Sequence, residues 1–178
     1  MLRRAILSRG LFFFLLLQVL CVQAETTPLL FPSRGQPWVN DFANVVDPED
    51  EKRIESLCKE IQNDGLATIV VCTMESIPKA GHEDEKVLSY GVDLFDLWEL
   101  PKEGVLILIS IKDRRAAICT GQSTQHFLPD ADAGKVLREY LVPNFKRGGY
   151  GKGCIAGITQ ARKIMLEKRK VMYPGKYK

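Results

Sequence analysis

Three aspartates lie where carboxylate oxygens could bind a divalent cation. Asp41 falls in a predicted loop before the first helix, and Asp130 and Asp132 lie two residues apart where a later helix begins. Calcium accepts carboxylates on irregular backbone as ligands, with loop carbonyls and water completing the shell. We therefore expect any such site to use Asp130 and Asp132, joined by Asp41 only if residues 122–129 cross back toward it. A structural alternative stays open, because Asp130 can cap the helix and Asp132 can interact with its dipole.

The sequence contains no other motif for metal, nucleophilic or phosphate chemistry. His82 and His126 have no partner at metal-ligand spacing, and residues 121–125 do not form the G-x-S-x-G turn of a serine hydrolase. The glycine-rich stretch at 148–153 lacks the phosphate-loop pattern and follows no predicted strand. The acidic loops are therefore the candidate site.

Four cysteines follow residue 24, at positions that form no C-x-x-C pair of a zinc or redox site. Disulfides and buried free thiols are both compatible with their wide spacing and apolar surroundings. If the predicted strands are ordered along the chain, Cys72 and Cys119 lie two strand spacings apart, about 9.5 Å. A disulfide needs Cα atoms within about 7 Å, so we predict no bond between these two. The four are Cys58, Cys72, Cys119 and Cys154.

Residues 1–24 have the pattern of a secretion signal. Three arginines form a positive start, about ten apolar residues follow, and Val22-Gln23-Ala24 supplies the small residues that signal peptidase requires. The apolar run is shorter than the roughly 20 residues of a membrane-spanning helix; an uncleaved N-terminal anchor is the alternative. We expect an exported protein, periplasmic or secreted, whose mature chain starts near Glu25 and opens with an extended lead-in, residues 25–37.

Charge and length limit the remaining function classes. The chain has 25 basic and 22 acidic residues, and three of the basic ones lie in the signal, so the mature part is neutral. A neutral domain has no general electrostatic attraction for nucleic acid. We expect no transmembrane helix after signal cleavage. The basic tail at 166–178 could contact anionic lipid or an acidic partner, with a solvated helix end as the alternative.

Apolar periodicity predicts the elements that must position these residues. The first helix is expected from its cap at Asp47 to about residue 63, because Pro48 and three acids occupy its first turn. Continuous β-branched runs at 67–72 and 105–111 predict buried parallel strands joined by a helix. The tight turn that follows makes the next strand, 114–120, antiparallel.

The last part of the domain is predicted to be helical. A third helix is expected from Asp130 to a stop at Pro143, and a fourth should bury Cys154, Ile158, Ala161 and Met165. The order of elements predicts an α/β fold for residues 38–165, a three-layer α/β/α sandwich. Its small mixed sheet should have two parallel strands and an antiparallel edge strand.

Several segments together resemble the TPM domain family, which is named for a thylakoid-lumen protein, a photosystem II repair protein and a nematode receptor modulator. The resemblance covers about residues 38–164, nearly the whole mature chain. The matching segments are 39–46 (VNDFANVV), 94–98 (LFDLW), 104–109 (GVLILI), 113–115 (DRR), 129–134 (PDADAG) and 145–150 (FKRGGY).

The resemblance implies an α/β/α sandwich and a location outside the cytoplasm, often near membranes. Members of the family are described as acid phosphatases, calcium-binding proteins or accessory subunits, and Asp41 and Asp130 match acidic positions that recur in the family pattern. The chain departs from that pattern in two loops. Residues 99–103 replace a glycine-rich link that contains Asp and Asn, and the second glycine usual after the third strand is missing around Ser123.

Three functions are compatible with the sequence. The first is an accessory or interaction protein of the cell envelope, with an envelope or membrane-protein partner. The alternative is a metal-dependent acid phosphatase that acts on phosphomonoesters through the acidic loops, with calcium as the expected cofactor. The third is a membrane-surface protein that acts through the basic tail. The oligomeric state stays open.

Overall fold

A computed structural model describes residues 31–78 and 87–175. The predicted signal peptide (1–24), residues 25–30 of the predicted lead-in, His82 and the last three residues of the predicted tail lie outside the described residues. Residues 31–37 contain no helix or strand. Phe31 stacks on Tyr90 with ring centroids 4.6 Å apart, so the end of the lead-in packs on the domain.

The first helix forms where the sequence predicts it. α1 spans Pro48–Asn63, with Asp47 in the cap position. The Asp47 carbonyl accepts a hydrogen bond from the Glu51 amide at 2.9 Å, whereas its side chain makes no capping bond. The helix buries the predicted apolar face, which consists of Ile54, Leu57, Cys58 and Ile61.

Four strands form one mixed sheet. They are β1 (Val39–Asp41), β2 (Thr68–Met74), β3 (Gly104–Ser110) and β4 (Arg115–Thr120), in the order β1-β2-β3-β4. The parallel pairing of β2 with β3 and the antiparallel pairing of β4 with β3 confirm the prediction. β1 adds a third parallel strand. The sequence pattern does not predict β1, because this three-residue strand contains an amide and an acid and forms only by pairing with β2.

The segment after β4 differs from the single predicted helix. α2 spans Val87–Leu97, between β2 and β3, and α3 spans Asp130–Val136. A π-helical turn, Leu137–Leu141, then leads into α4, Val142–Phe145. The predicted stop at Pro143 is therefore wrong. The wider turn accommodates a proline that has no N–H to donate, and the side-chain amide of Asn144 donates to the Tyr140 carbonyl at 2.8 Å.

The last helix is long and buries the predicted side chains. α5 spans Tyr150–Met172, and Cys154, Ile158, Ala161 and Met165 are all buried. The segment predicted as a basic tail from residue 166 therefore begins inside this helix. Among the described residues, no helix is long and apolar enough to cross a membrane.

Helices cover both faces of the sheet, which confirms the three-layer sandwich. Alternate residues of β2 and β3 point to opposite faces. Ile69, Val71 and Ile107 belong to one core with α1 and α5. The second core, under α2, contains Val70, Cys72, Tyr90, Leu94, Leu106 and Leu108.

Candidate functional site

Asp41 ends β1 and closes the loop before α1. Its carboxylate accepts hydrogen bonds from the Val45 amide at 3.2 Å and the Val46 amide at 2.9 Å. The Thr73 hydroxyl of β2 donates a third, short hydrogen bond to the same carboxylate. The loop needs this support because Asn44 adopts a left-handed backbone with φ of 53°. The protein's own donors therefore occupy the oxygens of the first predicted calcium ligand.

We expect Asp41→Ala to lower the free energy of unfolding by about 2 to 4 kcal/mol, because it leaves two part-buried amides without their charged acceptor. Asp132→Ala is the matched control, since its partly exposed ion pair with Lys168 should contribute less than about 1 kcal/mol. Urea denaturation measures both. An Asp41→Ala domain as stable as the wild type would show that the carboxylate does not hold the loop.

Asp130 and Asp132 lie in the first turn of α3 but have different surroundings. Asp132 forms an ion pair with Lys168 of α5. Asp130 is exposed and is the first residue of the helix, with Pro129 in the cap position. The interpretation of Asp130 as the cap is therefore wrong by one residue. Its carboxylate makes no hydrogen bond or ion pair within the described part of the chain.

The loop between β4 and α3 stays at the amino end of β3. The Ser123 and Thr124 amides both donate to the carbonyl of Lys102, two residues before β3 begins. Asp41 lies at the carboxyl end of β1, which is the opposite end of the parallel strands from Lys102. Across residues 31–78 and 87–175, no three His, Cys, Asp or Glu side chains are placed together to hold a metal ion. The structure therefore places Asp41 apart from Asp130 and Asp132, which share the first turn of α3.

Three basic residues of α5 have partners in the fold. Arg162 forms ion pairs with Glu60 at 3.1 Å and Asp64 at 2.7 Å. Arg169 donates to the Asp64 carbonyl at 2.8 Å, and Lys168 pairs with Asp132. These three side chains join α5 to α1 and α3, so they contribute to packing and not to a free cationic surface.

The four cysteines after residue 24 are buried and free. The prediction that Cys72 and Cys119 are not bonded to each other is confirmed, because β3 lies between their strands. Burial raises the pKa of the Cys72 thiol to about 12, and the charge of Asp41 adds to the rise. Burial likewise raises the pKa of the Cys119 thiol to about 12, with a further contribution from Asp130. Both thiols are therefore protonated and poorly nucleophilic at neutral pH.

A groove of about 660 Å³ lies between α2 and α3, with β4 as its floor. Leu88 and Val92 of α2 line it while remaining 52% and 46% exposed. α2 lies close to the floor at Gly91, where an added Cβ would come 2.7 Å from the Cys119 sulfur. The opposite wall consists of Ala133, Gly134 and Leu137, and Asp96, Lys102 and Asp130 are charged lining residues.

Sequence reasoning did not find this groove, although one signal was present. Leu88 and Val92 are four residues apart on α2 and lie outside its buried face, which consists of Val87, Tyr90, Gly91 and Leu94. Two large apolar residues on the second face of an amphipathic helix indicate a further contact. The location of that contact depends on β4, which only the folded sheet brings beside α2.

A family model described as the TPM domain matches residues 39–164. The chain belongs to the TPM domain family. The match includes Asp41, Asp130 and Asp132, together with the whole groove. A comparison with curated protein sequences found no match.

Three solved solution structures share the fold of this TPM domain. The N-terminal domain of a protein from P. gingivalis is 21% identical, with a TM-score of 0.64 over 72% of this chain and 82% of that one. The N-terminal domain of a Corynebacterium glutamicum protein is 11% identical, with a TM-score of 0.59 over 74% and 82%. The BA42 protein of Bizionia argentinensis is 20% identical, with a TM-score of 0.51 over 69% and 83%. At these identities the likeness concerns the fold alone.

Proposed function

We propose that this TPM domain is an exported accessory or interaction protein of the cell envelope, periplasmic or secreted, that binds a protein partner without catalysis. The observation that carries the proposal is the groove between α2 and α3, where Leu88 and Val92 remain about half exposed. Exposed apolar side chains that line a concave surface are typical of a binding site. Export is supported by the charge, apolar length and small residues of positions 1–24.

The alternative, a metal-dependent acid phosphatase, has less support from the geometry. Two of its three predicted metal ligands are already engaged, Asp41 by backbone amides and Thr73, and Asp132 by Lys168. Lys168 also places a positive charge where a cation would have to bind. The calcium site stays a prediction, since Asp130 is exposed and carries no internal partner among the described residues.

One experiment separates the two functions. The purified mature domain and its Asp130→Asn variant are assayed for phosphomonoester hydrolysis with and without calcium and magnesium. We expect no saturable hydrolysis from either protein, and no calcium-dependent rise in the melting temperature of the wild type. Hydrolysis that Asp130→Asn abolishes would establish the phosphatase and overturn the accessory function.

A crosslinking experiment tests whether the partner binds at the groove. A photo-crosslinking amino acid at position 92, in protein exported by the native host, should capture one specific envelope protein. The same group at position 97 is the control, because Leu97 is 58% exposed on the same helix but does not line the groove. Equal capture at both positions would mean that the groove is not the binding surface. The same preparation tests export, since its mature chain should begin near Glu25 by mass spectrometry.

A further inference from the structure

We propose that the groove binds an extended segment of a partner protein as a fifth strand, hydrogen-bonded to the outer edge of β4. This inference rests on the proposed function and specifies how the partner is held. β4 is the last strand in the sheet order, so its outer edge pairs with no strand among the described residues. An edge strand with free backbone groups is a template for a further strand.

Backbone geometry identifies the groups that remain free. The Gly121 amide donates to the Gly104 carbonyl at 2.9 Å, and these residues are opposite each other by extension of the β3–β4 register. Because hydrogen-bonded pairs alternate along antiparallel strands, the amides and carbonyls of Ala116, Ile118 and Thr120 point away from β3. These three residues offer up to six hydrogen-bonding groups over the length of one strand.

Helices on both faces of the sheet line the groove beside this edge. Leu88, Val92 and Phe95 line the groove from α2, and Ala133 and Leu137 line it from the other face of the sheet. Side chains of an added strand alternate between the two faces, so one set would contact α2 and the other α3. A groove of about 660 Å³ between helices can take an extended segment, whereas a second copy of the domain would bring its own helices into the same space. The occupant is therefore an extended segment with apolar side chains on both faces.

The charges at one end of the groove determine a further feature of the partner. Asp96, Asp130 and Lys102 line the groove, and Lys102 lies beside Gly121, just after β4 ends. Two carboxylates against one ammonium group leave a net negative charge at this end. A basic side chain near one end of the added segment would be complementary to it.

The test uses a capped synthetic peptide with apolar side chains on both faces, Lys-Val-Ala-Val-Ala-Val-Ala, labelled for fluorescence anisotropy, and the intact mature domain. We expect saturable binding, with NMR shifts concentrated on the amides of Ala116, Ile118 and Thr120. N-methylation of one alternate set of peptide amides should abolish binding, while methylation of the other set should leave it unchanged. This difference is specific to strand addition, because both methylated peptides keep the same side chains.

Substitutions at exposed positions, which leave both hydrophobic cores unchanged, complete the test. Val92→Glu should weaken binding about tenfold or more, because it places a charge against the apolar peptide. Leu97→Glu, at a more exposed position outside the groove, should change binding less than about twofold. Asp130→Asn should weaken binding of the peptide that begins with lysine. It should not weaken binding of a peptide that has glutamate at its first position. Equal binding of the two methylated peptides, or no saturable binding, would overturn the proposal.

Two other outcomes separate this inference from the proposed function. A specific crosslink at position 92 without peptide binding would support the interaction function and overturn strand addition. A dimer in analytical ultracentrifugation that Val92→Glu dissociates would mean that a second copy occupies the groove, which also overturns the extended segment. If both the crosslink and the peptide binding fail, the proposed function fails with the inference.

Discussion

Raising the pH from about 8 to about 10 under reducing conditions should lower the free energy of unfolding of the mature domain by about 5 kcal/mol. Four buried thiols cause the effect. Burial raises the pKa of the thiols of Cys58, Cys72 and Cys119 to about 12, and it raises the pKa of the Cys154 thiol as well. The unfolded chain loses these protons from about pH 9 upward while the folded domain keeps them.

The sign follows from proton binding. Because the folded pKa is the higher one, the contribution to stability is fully present below about pH 9. It is lost as the pH rises toward about 12, at about 1.4 kcal/mol per thiol and pH unit. Tyr90 adds to the loss only above its unfolded value near 10, since burial raises its pKa too.

Urea denaturation at both pH values measures the loss, and each Cys→Ala substitution should remove about a quarter of the pH dependence. Iodoacetamide at about pH 8 gives an independent check, since the native thiols should react only after unfolding. Rapid alkylation of the native domain, or a pH dependence that survives all four substitutions, would contradict the raised pKa values.

The substitution Gly121→Ala should destabilise the domain by about 3 kcal/mol, at the upper end of what overpacking costs. An added Cβ would lie 2.4 Å from the Lys102 carbonyl oxygen and 2.8 Å from its carbon. Both are backbone atoms, and the oxygen also accepts hydrogen bonds from the Ser123 and Thr124 amides. Relief of the clash must therefore disrupt the start of the loop that leads to α3.

Gly35→Ala is the matched control, because its added Cβ would meet only the Asn40 side-chain oxygen, at 3.9 Å. Thermal unfolding should show a melting temperature several degrees lower for Gly121→Ala and nearly unchanged for Gly35→Ala. If Gly121→Ala were as stable as the control, the loop after β4 could not be held against Lys102 as the structure shows.

The accessory function and the strand-addition inference depend on the same feature, a groove lined by an edge strand and by helices on both faces of the sheet. Open edges usually carry charges, prolines or bulges that prevent pairing. β4 has Arg115 at its start, and then Ala116, Ala117, Ile118 and Cys119 without a charge or a proline. The helices that line the groove on both sides are the features that restrict access to this edge.

Local periodicity was enough to predict α1, β2 and β3. Pro48 and the following acids define the start of the helix whatever surrounds it. The continuous apolar runs of β2 and β3 can be satisfied only between two layers, so the sandwich followed from them. The short turn after β3 made β4 antiparallel without knowledge of any distant contact. These features share one cause, which is that the residues that decide them are neighbours in sequence.

The tertiary structure alone decided the roles of the acidic residues and the location of the groove. The Asp41 carboxylate accepts a hydrogen bond from Thr73, 32 residues away, and the Asp132 carboxylate pairs with Lys168, 36 residues away. A carboxylate in a loop has the same local sequence whether it binds an ion, an amide or a lysine, so spacing could not distinguish these partners. β1 likewise forms only because it pairs with β2. The groove needs α2, β4 and α3 together, and free backbone groups at a sheet edge have no signature in the side-chain sequence.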